Sequence, residues 1–121
     1  MVRILFVDDE QRVLDGLRRT LRAMRTEWEV AFAGSGAAAL QAMSGERFDV
    51  IVTDMRMPEM DGCTLLKQVS DGYPAVKRVA LSGQSDLERQ VCRSGLVHSF
   101  LAKPCTLTEL TETVRRLVGA G

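Results

Sequence analysis

The chain has 121 residues, 45% of them hydrophobic, and its 16 lysine and arginine residues balance 16 aspartate and glutamate residues. This length predicts one domain, residues 1–121, with a real core, because a chain of this size buries about two-thirds of its unfolded surface. The zero net charge excludes the overall basic field that favours nucleic acid or an anionic membrane. No apolar stretch reaches the length of a membrane span.

The start of the chain and its cysteines predict a cytoplasmic location. Met1-Val2-Arg3 leads straight into an apolar run, which predicts the absence of a signal peptide. Cys63, Cys92 and Cys105 are far apart and form no C-x-x-C pair, so we expect free thiols in a reducing compartment. Their simplest interpretation is as small packing residues.

The hydrophobic pattern predicts five strand–helix units. Strands are predicted near Arg3–Val7, around Trp28, Val30 and Phe32, and near Phe48–Thr53, Lys77–Leu81 and Val97–Leu101. Helices are predicted near Glu10–Met24, Ala37–Met43 and Cys63–Ser70, and two capping boxes, Ser85-x-x-Glu88 and Thr106-x-x-Glu109, open two more. This alternation predicts a three-layer α/β sandwich of five parallel strands, with the flavodoxin-like order 2-1-3-4-5.

Three local features have a structural interpretation by default. The first predicted helix carries Arg12, Arg18, Arg19, Arg22 and Arg25 opposite its apolar face, and we interpret them as a solvated face that a partner can use. Gly34-Ser35-Gly36 fits neither the Walker nor the dinucleotide spacing, so it is interpreted as a turn. His98 falls inside the fifth predicted strand and is interpreted as structural.

Four apolar runs each end on polar residues that can do chemistry. These runs are the first, third, fourth and fifth predicted strands. They are followed by Asp8 and Asp9, by Asp54, by Ser82 and by Lys103, respectively. In an open parallel sheet, ligands bind beyond the carboxyl ends of the strands, so these side chains are expected to gather at one edge. Three carboxylates, a hydroxyl and an ammonium suit Mg²⁺ and a phosphoryl group, with an aspartate as acceptor.

Each of these residues also has an ordinary structural interpretation. Asp8 or Asp9 can be the N-cap of the first helix, Asp54 and Ser82 can be turn residues, and Lys103 can be exposed at a strand end. Taken singly, each interpretation competes equally with the functional one. Together they explain poorly why three carboxylates end at the same edge. The Lys103–Pro104 bond is a candidate cis peptide, although trans is the commoner state.

The chain resembles the receiver domain of bacterial two-component response regulators. The matching segments are ILFVDDE, VTDMRMPEMDG, the serine in ALSG, and FLAKP, which occur in the family's order and at its usual spacings. The resemblance implies a phosphorylation-activated switch rather than a conventional enzyme. Its phosphoryl donor is then a histidine kinase, a phosphotransfer protein or a small phosphodonor.

The resemblance also implies roles for individual residues. Asp54 is the implied phosphoacceptor, and Asp9 and Asp54 are implied direct ligands of Mg²⁺, with Asp8 acting mainly through water. Mn²⁺ is the alternative ion. The main-chain carbonyl of Arg56 is the implied third protein ligand.

The resemblance implies that Ser82 and Lys103 bind the phosphoryl oxygens. It also implies that Ser82 and Phe100 form the switch that changes conformation on phosphorylation. The side chains of Arg56 and Gln84 are expected to tune the rate of dephosphorylation.

Partners follow from the same resemblance. We expect a fused or separate output domain, and a homodimer through the helix predicted from Ser85, the fifth strand and the last helix. The stretches LDGLRRTLR, LSGQSD and LAKPC are closest to receivers that precede HD-type phosphohydrolase or related regulatory domains. The flexible ending Gly119-Ala120-Gly121 suits a linker, so the chain is expected to be one module of a longer protein.

Two other function classes remain as alternatives. A Mg²⁺-dependent phosphohydrolase of the haloacid-dehalogenase type places its nucleophile in a D-x-D motif after the first strand, which Asp8-Asp9-Glu10 does not match. A flavin-binding module on the same sheet needs a phosphate-cradling loop there, and these three carboxylates repel phosphate unless a metal intervenes.

Overall fold

The computed structural model describes residues 1–82 and 95–119. The strands are β1 (Val2–Val7), β2 (Trp28–Ala33), β3 (Val50–Asp54), β4 (Lys77–Ser82) and β5 (Ser99–Ala102). The helices are α1 (Gln11–Leu21), a short 3-10 helix (Arg22–Met24), α2 (Gly36–Gly45), α3 (Gly62–Gly72) and the last helix (Leu107–Gly119). All strand pairs are parallel, in the order β2-β1-β3-β4-β5, which confirms the predicted sheet. The predicted helix from Ser85, together with Gln84 and Cys92, lies outside the described residues.

Alternate residues of β1 build two separate cores, one on each face of the sheet. Leu5 and Val7 belong to a cluster with side chains of α2 and α3, whereas Ile4 and Phe6 belong to a cluster with α1 and the last helix. All four are at most 1% exposed. Cover on both faces explains why the inner strands are continuously apolar. None of the described helices is long and apolar enough to cross a lipid bilayer.

Polar side chains fix the starts of three helices. Ser35 accepts a hydrogen bond from the backbone of Ala38 at the start of α2, and Asp61 accepts one from Thr64 at the start of α3. Thr106 and Glu109 form the predicted reciprocal capping box of the last helix, with distances of 3.1 and 3.0 Å. The Gly34-Ser35-Gly36 turn therefore also supplies a helix cap, a role not assigned from sequence.

Several element boundaries differ from the prediction by a few residues, and three of these differences concern residues discussed above. β3 includes Asp54, which still pairs with Leu81 of β4. α1 ends at Leu21, because the chain tightens there into the 3-10 helix. β5 begins at Ser99, so the placement of His98 inside that strand was wrong.

His98 has a structural contact just before β5. Its Nδ1 accepts a hydrogen bond of 2.9 Å from the backbone N–H of Arg78. The backbone N–H of His98 in turn donates to the Arg78 carbonyl. Burial, aided by the positive charges of Arg78 and Lys77, lowers the pKa of His98. The neutral imidazole is the form that can accept this bond.

Arg78 is a buried cation that the sequence did not predict. It is 5% exposed, and burial lowers its pKa. Its guanidinium donates to the carbonyls of Leu96 at 2.8 Å, Val76 at 3.1 Å, and Pro74 and Gly95 at 3.3 Å. These bonds tie together the turns that lead into β4 and β5. Both turns lie at the amino ends of the strands, which is the edge of the sheet opposite the carboxyl ends.

Candidate functional site

Three carboxylates meet at the carboxyl edge of the central strands. Asp8 and Asp9 directly follow β1, and Asp54 ends β3, the neighbouring strand. One oxygen from each lies within 4.8 Å of the others. Asp8 is 1% and Asp54 7% exposed, whereas Asp9 faces solvent. The expected gathering of these side chains at one edge is thus observed.

The helix-cap interpretation of Asp8 and Asp9 is wrong. The residue at the N-cap of α1 is Glu10, and no side chain caps that helix. Asp8 instead accepts a hydrogen bond of 2.9 Å from the backbone N–H of Glu10, which holds its carboxylate at the turn between β1 and α1. Both aspartates therefore remain available to the site.

Lys103 reaches into this carboxylate cluster. Its Nζ lies 3.0 Å from Asp8 Oδ2 and 3.2 Å from Asp54 Oδ2. The backbone N–H of Lys103 donates to the Ser82 carbonyl at 2.9 Å, which extends the β4–β5 pairing past the strand end. The Lys103–Pro104 bond is cis, as considered from sequence. The alternative of a lysine simply exposed at a strand end is wrong, since its side chain is only 24% exposed.

The electrostatics of the cluster favour a cation. Burial raises the pKa of Asp54; Lys103 opposes this shift and Asp8 adds to it. Burial alone lowers the pKa of Lys103, but its hydrogen bond to Asp8 and the charges of Asp54 and Asp8 outweigh burial and raise it. Three carboxyl groups lie against one ammonium group, so acidic groups outnumber basic groups in the cluster. An oxygen-rich, buried and net negative site fits Mg²⁺.

Ser82 and Phe100 share one face of the sheet. Ser82 is the last residue of β4, is 4% exposed and pairs in register with Ala102, while Phe100 pairs with Ala80. Residues two apart on a strand point the same way, so these side chains are diagonal neighbours on adjacent strands. Phe100 is half-buried and packs against the core beneath α2 and α3.

The loop after β3 brings its backbone against Asp54. The backbone N–H of Arg56 hydrogen-bonds the Asp54 carboxylate, while the Arg56 side chain is exposed. A Cβ on Gly62 would lie 2.4 Å from the Asp54 carbonyl oxygen and 2.8 Å from Met55 Cα. Gly62 appeared above only as the last residue of the segment VTDMRMPEMDG, without a role of its own; the signal available was a glycine directly after the capping Asp61.

A family model for the response regulator receiver domain matches residues 4–115. The chain belongs to this receiver family. It is a receiver domain of two-component response regulators, so the phosphohydrolase alternative is not favoured.

Relatives of this receiver occur in several kinds of signalling protein. Transcriptional regulatory protein YesN of Bacillus subtilis is 30% identical over 98% of this chain. Sensor kinase CckA of Brucella abortus is 35% identical over 95%, and response regulator MprA of Mycobacterium ulcerans is 34% identical over 97%. This chain covers 33%, 12% and 50% of those three proteins, respectively, so it spans half of their length or less.

Solved structures share the receiver fold. The signal receiver domain of an HD domain-containing protein from Pseudomonas fluorescens has a TM-score of 0.88 and 28% identity, covering 98% of this chain and 88% of that one. Response regulator TrrA from Thermotoga maritima, in complex with Mg²⁺ and BeF, has a TM-score of 0.80 and 25% identity, covering 97% of this chain and 99% of that one.

Proposed function

We propose that Asp54 of this receiver accepts a phosphoryl group in a Mg²⁺-dependent transfer from a histidine kinase or phosphotransfer protein. The observation that carries the proposal is the position of Lys103, whose Nζ lies between the buried carboxylates of Asp8 and Asp54. Among these carboxylates, Asp54 ends a central strand and receives a backbone hydrogen bond from Arg56. Its carboxylate is therefore held from two sides, by Lys103 and by the backbone of Arg56.

The metal would be held by Asp9 and Asp54 directly, by Asp8 through water, and by the main-chain carbonyl of Arg56. Mn²⁺ is the second candidate ion, because it also takes oxygen ligands. When bound, the ion neutralises charge on the phosphoryl oxygens. The cluster of carboxylates within 4.8 Å is the support for this assignment.

The side chains of the site perform the rest of the transfer by positioning. An Asp54 carboxylate oxygen forms a bond to phosphorus as the bond from phosphorus to the donor nitrogen or oxygen breaks. Lys103 holds the carboxylate before transfer and then pairs with a phosphoryl oxygen. Such a reaction depends on alignment and charge neutralisation more than on covalent help from the protein. Water later hydrolyses the acyl phosphate, so the domain acts as a switch rather than a conventional enzyme.

Intact-mass measurement tests the acceptor. The protein is incubated with acetyl phosphate or phosphoramidate, with Mg²⁺ or with chelator, and we expect one added phosphoryl group only with the metal. Asp54→Asn should abolish the addition, and Asp71→Asn, a change at an exposed carboxylate of α3, should leave it intact. Full labelling of Asp54→Asn would contradict the assignment. Turnover of a small phosphate ester would favour the phosphohydrolase instead.

We also propose that Ser82 and Phe100 carry the response. The new phosphoryl group adds charge and strong acceptors, which draws the Ser82 hydroxyl toward Asp54 and frees space for the Phe100 ring. Their diagonal placement on β4 and β5 supports this coupling. A structure with beryllofluoride should show a changed Phe100 rotamer. An unchanged rotamer with Ser82 already on the fluoride would rule out the coupling.

We propose a cytoplasmic module of a longer protein, with an HD-type phosphohydrolase or related output domain and a dimer formed through β5 and the last helix. The share of its relatives' length that this chain covers supports the modular part. The reading frame beyond Gly121 tests the fusion, and light scattering with and without beryllofluoride tests the dimer. A downstream DNA-binding segment would overturn the choice of output.

A further inference from the structure

A groove of about 460 Å³ runs along the open edge of β2. Among the described strands, β2 pairs only with β1, so its other edge is free. Arg18, Arg22 and Arg25, from α1 and the segment that follows it, line one side of the groove. Trp28, Val30 and Phe32 of β2 line the other.

Hydrogen bonds between β1 and β2 show which backbone groups face this open edge. The N–H of Val2 donates to the Glu27 carbonyl at 3.2 Å, and the N–H of Asp8 donates to the Ala33 carbonyl at 3.1 Å. In a parallel pair, the residues that bond to the neighbouring strand alternate along the chain. The odd-numbered residues 27–33 therefore face β1. The N–H and C=O groups of Val30 and Phe32 point to the open edge.

The arginines beside this edge have no acidic partner among the residues that the structure describes. Within residues 1–82 and 95–119, Arg18, Arg22 and Arg25 form no ion pair. Arg18 lies over the Phe32 ring, 4.5 Å from its centroid, which holds one guanidinium at the groove. The groove thus presents a cluster of positive charge in a chain of zero net charge.

The glutamates nearest in sequence to the groove are already engaged. Glu27 pairs with Arg115 at 3.4 Å, and Glu29 pairs with Arg3 at 3.1 Å. Their partners lie on the last helix and on β1, and neither partner lines the groove. The charge of those arginines is therefore open to an incoming acidic group.

Spacing matches the arginines to an extended chain. Arg18 and Arg22 are one helical turn apart, about 6 Å along the axis at 1.5 Å per residue. Alternate side chains on one face of a strand are about 6.6 Å apart. A strand with acidic residues at alternate positions can thus place successive carboxylates on these guanidinium groups while its backbone pairs with Val30 and Phe32.

We propose that this groove docks an extended acidic polypeptide segment, which adds a sixth strand at the open edge of β2 and pairs its carboxylates with Arg18, Arg22 and Arg25. Main-chain bonds supply the pairing in such strand addition, and side chains supply the selectivity. Carboxylate–guanidinium bonds are among the stronger hydrogen bonds available. A nucleic acid would use the arginines but leave the edge backbone of Val30 and Phe32 unpaired.

The single tryptophan of the chain reports on this groove directly. Trp28 is 4% exposed and lies in its lining. The probe is a capped nine-residue peptide that alternates glutamate with valine or threonine, and its counterpart has lysine in place of glutamate. We expect a saturable change in Trp28 emission with the glutamate peptide, weakened by salt, and none with the lysine peptide. Equal responses to both peptides would overturn the proposal.

Two matched double variants distinguish binding in the groove from a general attraction to the arginines of α1 and of the segment that follows it. Arg22→Gln with Arg25→Gln should weaken binding of the glutamate peptide tenfold or more. Arg12→Gln with Arg19→Gln removes the same amount of charge from α1, outside the groove, and should weaken it less than twofold. Thermal melts confirm that both variants fold. Equal losses would mean a general electrostatic attraction and overturn the site.

N-methylation tests the strand pairing. Methyl groups on alternate peptide nitrogens block hydrogen bonding along one edge of the peptide only. Two peptides are compared, one methylated along each edge, and we expect one to lose binding and the other to keep it. Undiminished binding of both methylated peptides would overturn strand addition. A single-stranded oligonucleotide that perturbs Trp28 while the glutamate peptide does not would overturn the acidic segment as the occupant.

Discussion

Asp54 has an unfavourable charge in the metal-free protein. Burial raises the pKa of its carboxyl group, Lys103 opposes the shift and Asp8 adds to it, with a raised pKa as the result. An acid whose pKa is higher in the folded state binds more protons when folded. Its stabilising contribution is therefore full below its unfolded pKa near 3.8, and is lost as pH rises through the folded pKa. At neutral pH, ionised Asp54 lowers the free energy of unfolding.

Removal of this charge should stabilise the metal-free domain. In chelator at pH 7, we expect Asp54→Asn to have a higher free energy of unfolding in urea than the parent. The gain should shrink toward pH 4, because the parent carboxyl becomes protonated there. Asp71→Asn, at an exposed site on α3, should show no such pH-dependent gain. A variant less stable than its parent at pH 7 would mean that the Lys103 ion pair outweighs burial.

Arg56 should set the lifetime of the proposed acyl phosphate. Its side chain is exposed two residues after Asp54, on a backbone fixed to that carboxylate. A long cationic side chain there can cover the phosphoryl group or pair with it and hinder the attacking water. We expect faster loss of phosphate in Arg56→Asn, measured by intact mass after removal of the donor. Arg47→Asn, a change at an exposed arginine outside the site, is the control. Equal or slower decay in Arg56→Asn would contradict this role.

At the scale of elements, the start of α3 is packed against the end of β3. Gly62 has no room for a side chain, since a Cβ would lie 2.4 Å from the Asp54 carbonyl oxygen and 2.8 Å from Met55 Cα. Both are backbone atoms, which cannot move aside as a flexible side chain does. Gly62→Ala should therefore lower the free energy of unfolding by about 1–3 kcal/mol, as overpacking does.

The same helix supplies the control. Gly72 ends α3 and has nothing within 4 Å of a built Cβ. Gly72→Ala should be neutral or stabilising by up to about 1 kcal/mol, because alanine is the better helix former. Urea unfolding of the two variants measures the difference. Equal effects would show that the contact between α3 and β3 relaxes freely.

Local patterns predicted most of these elements because their signals lie close together in sequence. Apolar runs located all five strands, and the Thr106-x-x-Glu109 box correctly marked the last helix. The positions of Asp8, Asp54 and Lys103 directly after those runs predicted that these three residues are neighbours. The errors fell at boundaries, where tertiary pairing decides: Asp54 stays in β3 because it pairs with Leu81.

Long-range contacts account for what the sequence did not reveal. The sequence predicted Arg78 only as a residue of the fourth strand and gave no sign that its charged side chain is buried. Its hydrogen bonds go to carbonyls of two turns, at positions 74–76 and 95–96, and no local pattern encodes their convergence. The close approach of Gly62 to Asp54 is likewise set by how α3 docks on the sheet.

At the scale of the whole molecule, the site joins loops from the carboxyl ends of three strands. Asp8 and Asp9 follow β1, Asp54 ends β3 and Lys103 follows β5. These groups meet only when the sheet has formed, so a metal bound there binds the folded state alone. Such a ligand stabilises the fold by an amount set by its concentration relative to Kd.

Mg²⁺ should therefore raise the melting temperature of the entire domain. At ten times its Kd, the ion adds about 1.4 kcal/mol to the free energy of unfolding, which corresponds to roughly 5 °C for a domain of this size. Asp9→Ala should remove most of this gain and leave the metal-free protein as stable or more so, because one repelling carboxylate is lost. Asp71→Ala removes a carboxylate away from the cluster and should keep the full gain. Scanning calorimetry across millimolar Mg²⁺ measures the shift. A melting temperature indifferent to the ion, or an equal loss of the gain in both variants, would place the metal elsewhere than this carboxylate cluster.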